Sequence, residues 1–125
     1  MKTYGIGSVV TLILVGMIFL SISVGCGGST SEACIGAVAY QGKTFEGKGK
    51  DVGESKLNAC NNYCRDADPE YDARYHIWLD SPLGKAAGSP SKQEAIFKDK
   101  DLMKFVTESC SGKCVAEMKP ESTCK

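Results

Sequence analysis

Seven cysteines and a single histidine are the residues of this 125-residue chain best suited to chemistry. Thiols can pair, hold a metal, attack a substrate or accept a covalent group, and an imidazole can move a proton near neutral pH. The cysteines stand at Cys26, Cys34, Cys60, Cys64, Cys110, Cys114 and Cys124, and four of them form two C-x3-C pairs, "CNNYC" and "CSGKC". No C-x-x-C is present for a thiol–disulfide enzyme, and no C-x-x-C-H for covalent haem. Zinc would need four of these thiols kept reduced, so the compartment decides between metal and disulfide.

The compartment is legible at the N-terminus. Met1 and Lys2 give a short positive start, and from Thr3 to Gly25 there is no charged side chain. The run "VVTLILVGMIFL" within it is strongly apolar. A secretory leader and an uncleaved membrane anchor both fit such a run. "ISVGC", Ile22 to Cys26, distinguishes them, because it resembles the lipobox of bacterial lipoproteins. Ser23 stands where that motif most often has Leu. The resemblance implies that residues 1–25 are a signal peptide cut before Cys26. It further implies a diacylglycerol on the Cys26 thiol and a palmitate-like acyl chain on the new amino group. Gly27, in place of Asp, implies the outer membrane under the enteric sorting pattern. Residues 26–33, "CGGSTSEA", then read as a Gly/Ser tether, and 34–125 as one globular domain. Of the charged side chains only Lys2 leaves with the signal, so the domain is nearly neutral and depends on acyl chains for membrane contact. The 15 basic and 15 acidic residues of the whole chain balance, which excludes nucleic acid as an expected partner.

With Cys26 assigned to lipid, six cysteines remain in an oxidising envelope, and three disulfides follow. Six cysteines allow fifteen pairings. On a helix, residues i and i+4 share a face, so two antiparallel helices carrying C-x3-C can be linked twice, Cys60–Cys114 and Cys64–Cys110. Cys34–Cys124 is then the remaining pair. The twin C-x3-C arrangement is similar to that of the small mitochondrial Tim chaperones. The likeness covers those four cysteines and implies the cross-linking geometry, not the chaperone activity.

The elements that must position these cysteines follow from local patterns. "CIGAVAYQGKTFEGKGK" reads as a hairpin turning at Gln41-Gly42, with Gly47 and Gly49 marking a bulge or the end of its second strand. A helix is predicted over Val52–Arg65, capped by Asp51 and Glu54, with Leu57, Cys60, Tyr63 and Cys64 inward. "FEGKGKDVGESKLNAC" resembles the last strand and helix of double-stranded RNA-binding domains. It lacks their basic helix start, so the likeness implies the local fold and not RNA binding. A second helix opens at Asp68-Pro69 and ends at Ser81-Pro82, with Tyr71, Tyr75, Trp78 and Leu79 on one face. "LGKAAGSPS" reads as a loop, and Ser91 with Glu94 starts a short helix, "KQEAIF". A last helix carries Leu102, Phe105, Val106 and Cys110 inward, with Gly112 expected to end it before Cys114. The remaining residues form a tail tied by Cys124. The expected fold is a small disulfide-stapled α+β domain, an N-terminal β-hairpin packed on three to four helices.

Functional signals are sparse in this domain. His76 has Asp72 one turn away but no nucleophile motif, and the acids at 66, 68, 70 and 72 lack the spacing of a calcium loop. The expectation is no catalytic residues, no metal and no cofactor. The function expected is a non-enzymatic envelope lipoprotein, an interaction or structural module. It would meet the membrane through its lipid and an envelope protein through its domain. Tyr71, Tyr75, His76 and Trp78 form the candidate interaction patch. The alternative is a small ligand-binding protein or enzyme with a site near His76 and Trp78. A third possibility, an inhibitor-type binder, would use "SPLGKAAGSPS" as an exposed rigid loop.

Overall fold

The computed structural model describes residues 33–125. The proposed signal 1–25, the lipid site Cys26 and all but the last residue of the tether lie outside the described residues. Strands β1 (Cys34–Tyr40) and β2 (Lys43–Gly49) form the expected hairpin. Gln41 (φ 48°) and Gly42 (φ 75°) are both left-handed, the pairing a tight two-residue turn requires. Tyr40 faces Lys43 across the turn, and the register holds to Cys34 opposite Gly49. The tail is more than a tie. Glu121–Cys124 forms a third strand, β3, antiparallel to β1, so the sheet order is β2-β1-β3.

Helix α1 (Val52–Ala67) covers one face of the sheet. The contact is unusually close, and glycine makes it possible. A β-carbon on Gly47 would run into the backbone of Asn58 and Ala59, and one on Gly36 into the Ser55 carbonyl. β2 ends at Gly49, as expected, but neither glycine bulges it: the register is regular to that point, and the missing side chains admit the helix. The helix answers with small residues, Ser55 and Ala59, both fully buried. Leu57, expected inward, is 40% exposed; it lies on the side of α1 turned away from Ser55 and Ala59. Asp51 caps α1, its Oδ1 accepting from the Glu54 amide at 2.8 Å.

On the outer edge of β2, the Glu46 and Lys48 carbonyls accept from Asn62 Nδ2 (2.6 Å) and Asn58 Nδ2 (2.7 Å). These two asparagines lie one helical turn apart, so α1 both packs on the sheet and covers part of its free edge.

Helix α2 (Pro69–Asp80) begins as expected, with Asp68 Oδ2 accepting from the Tyr71 amide at 2.8 Å and Pro69 in the first turn. The stretch read as a loop holds another helix, α3 (Pro82–Ala86), capped by Ser81. Helix α4 (Lys92–Lys98) has the predicted capping box of Ser91 and Glu94. From Lys100 to Met118 the chain is helical throughout: α5 (Lys100–Lys104), a π-helical segment (Phe105–Cys110) and α6 (Ser111–Met118). Gly112 does not end it. The helix instead stops at Lys119, which turns left-handed at φ 49°.

The π segment has a packing consequence. Val106, Cys110 and Cys114 are spaced by four and all buried. Four residues overshoot one α-helical turn of 3.6, and the wider π turn takes up the excess. Thr107 and Ser111 hydroxyls donate to the Met103 and Thr107 carbonyls along the same stretch. Both cysteines of "CSGKC" thereby face α1, where the bridges Cys60–Cys114 and Cys64–Cys110 form with Cα atoms 5.7 and 5.9 Å apart. Cys34–Cys124 joins β1 to β3. The domain is a small α+β fold stapled by three disulfides.

Candidate functional site

The aromatic stripe of α2 is structural. Tyr71 is fully buried and donates its hydroxyl to the Lys92 carbonyl at 2.6 Å; Tyr75, half-buried, donates to the Pro90 carbonyl at 2.7 Å. These two bonds hold the chain that enters α4. Trp78 is buried in the core, 8% exposed. His76 points outward, with Nε2 3.7 Å from Asp72 Oδ1. Asp72 also pairs with Lys92, whose ammonium holds that carboxyl below its usual range. The four residues expected to form a patch therefore do not share an exposed surface. His76 is exposed and Trp78 buried, on different sides of α2. The loop expected to present itself for binding is folded into α3 and pinned at Pro90.

A cleft lies elsewhere. It has a volume of ≈ 490 Å³ and runs between α1, the start of α2, and the π segment with α6. Tyr40, Tyr63, Phe105 and Met118 give it apolar walls. Cys110 and Cys114 bring both interhelical disulfides to its lining, so the opposing walls are covalently fixed. Part of one wall is the π segment, a geometry found disproportionately at functional sites.

Each ring is held in place. Tyr40 and Tyr63 meet edge-to-face at 5.0 Å, and Phe45 meets Tyr63 edge-to-face at 5.8 Å. The Tyr63 hydroxyl points to Asp68 Oδ1 at 3.5 Å. Burial, and then the Asp68 carboxylate beside it, push the Tyr63 hydroxyl up to about 12, so it stays neutral. Across the cleft the Arg74 guanidinium lies 4.3 Å over the Phe105 ring. Its Nη2 is 2.9 Å from Glu70 Oε1.

The cleft is thus amphipathic, with rings and a thioether at its base and charges at its rim. Its lining was not visible as a set in the sequence. Tyr63 and Phe105 read only as core positions, Tyr40 as a strand former, and Arg74 carried no signal. Among the described residues no three His, Cys, Asp or Glu side chains converge to hold a metal ion. No helix among them is long and apolar enough to cross a membrane. Comparison with protein-family models, with curated proteins and with solved structures found no match to this chain.

Proposed function

We propose that the chain is a lipid-anchored lipoprotein of the bacterial cell envelope, seated in the outer membrane, whose domain binds an envelope protein without catalysis. The observation that carries the binding role is the cleft, whose walls are joined by two disulfides. A preformed cleft binds with little ordering cost, and aromatic side chains with a polar rim are the usual composition of a binding hot spot. The anchoring role rests on "ISVGC" and the apolar run before it. Cys34 is eight positions after Cys26, so the domain starts within ~28 Å of its lipid whatever the conformation between them. A partner would be met at or near the membrane surface.

The test is site-specific photo-crosslinking in the native envelope. A photoreactive residue replaces Met118 in the cleft, or Ile77 on the exposed side of α2 as control, in the full chain. Adducts with a discrete protein from position 118 and not from 77 support the reading. Equal labelling from both, or none from 118, rejects it. Mass spectrometry of the N-terminal peptide decides the anchor separately: an unmodified Cys26 thiol, or an intact leader, removes the lipoprotein assignment.

A further inference from the structure

We propose that the cleft receives an organic cation, the arginine or lysine side chain of the partner protein. This rests on reading the cleft as a protein-binding site, and it names what that site recognises.

The cleft already displays the chemistry once, with the protein's own side chain. Arg74 lies over the Phe105 ring at 4.3 Å while Glu70 holds it from the side. A ring face is electronegative and a carboxylate completes the charge balance, so this is the ordinary way to hold a guanidinium. The same kinds of part recur elsewhere in the lining. Tyr63 and Tyr40 supply two rings at 5.0 Å, and Asp68 supplies the carboxylate beside the Tyr63 hydroxyl. Tyr63 remains neutral at physiological pH, so it adds no competing charge of its own.

The charge count points the same way. Asp68, Glu70 and Glu117 line the cleft against Arg74 and Lys113. Glu70 is matched by Arg74, which leaves two carboxylates and one ammonium. An anionic guest would meet that carboxylate excess. A cationic guest relieves it and finds rings to stack on. The lining also suits a long side chain, because Met118 and Phe105 offer apolar surface to the methylene stem below the charge.

Arg74 gives the proposal a consequence that packing alone does not. It is half exposed on α2, and its guanidinium occupies one ring and one carboxylate that a guest could use. Arg74→Gln should free both.

The experiment titrates the oxidised full chain, in detergent, with Nα-acetyl-arginine amide and with the neutral Nα-acetyl-citrulline amide. Ring resonances of tyrosine and phenylalanine are followed by NMR. Saturable shifts at Tyr40, Tyr63 and Phe105 are expected with the arginine derivative, and binding ~10-fold weaker or absent with citrulline. Asp68→Asn keeps the helix cap and should weaken binding several-fold, whereas Arg74→Gln should strengthen it. No saturation by about 50 mM, equal binding of citrulline, or a loss on Arg74→Gln overturns the proposal. These results are separable from the crosslinking. A partner captured from position 118 alongside no response to arginine keeps the binding role and removes the cationic guest. No capture from 118 removes both.

Discussion

Gly47 of β2 and Ala59 of α1 meet backbone against backbone, with no space between them for a β-carbon. Gly47→Ala should therefore cost about 3 kcal/mol, the upper end for overpacking, because the obstacle is main chain and cannot rotate away. Gly112→Ala is the matching control. A β-carbon there meets nothing within 4 Å, and the residue is helical and exposed. That change should stabilise by about 0.5–1 kcal/mol. Urea unfolding of the oxidised proteins reads both; a neutral Gly47→Ala would mean that α1 does not sit where described.

The two interhelical bridges overlap in what they contribute. Alone, Cys60–Cys114 closes a loop with a sequence separation of 54, worth ~4 kcal/mol from chain entropy. With Cys64–Cys110 in place, the extra loop it closes is only roughly ten residues, worth about 3 kcal/mol. Paired Cys→Ala changes at either bridge should each cost less than ~4 kcal/mol, and removing both should cost more than either alone. A single bridge whose loss matched the loss of both would show that the other contributes nothing.

Tyr63 and Tyr71 make stability fall in strong alkali. Burial is the first cause of each shift, and both hydroxyls are pushed from 10.0 up to about 12. The unfolded chain releases these protons near pH 10, while the folded chain keeps them to about pH 12. The folded state thus binds more protons between those values, and stability drops as pH rises through that window. Absorbance titration should find two tyrosines ionising late, one of which disappears in Tyr63→Phe. Early ionisation of every tyrosine would contradict the burial described.

Asn58 and Asn62 occupy the outward Lys48 and Glu46 carbonyls of β2. Replacing both with alanine frees two acceptors on an edge strand, where a neighbouring chain can add. Light scattering of the double variant should show concentration-dependent association that the parent lacks at the same concentration. A variant that remains monomeric would assign the edge's protection to something other than these amides.

What could be read from sequence was what the chain decides locally. The Gln41-Gly42 turn, the Asp51, Asp68 and Ser91 caps and the spacing of the C-x3-C pairs depend on a few neighbouring residues, and all five appear in the structure. The strand "ESTC" has little strand character of its own and exists because it pairs with β1 ninety residues away. The full burial of Ser55 and Ala59 is likewise a tertiary result, set by glycines on strands that precede them. The cleft belongs to the same class. Tyr40, Tyr63, Arg74 and Phe105 come from four elements, and no periodic pattern links them.

The bridge between Cys34 and Cys124 spans the other two bridges and nearly the whole domain. Every peptide bond from Cys34 to Cys124 lies inside the ring it closes. A protease that cuts once in any exposed loop therefore leaves a nicked chain but releases no fragment, and both pieces remain joined to whatever holds residue 34. Shedding this domain takes two cuts with no bridge between the pieces, or a cut in the short stretch before Cys34.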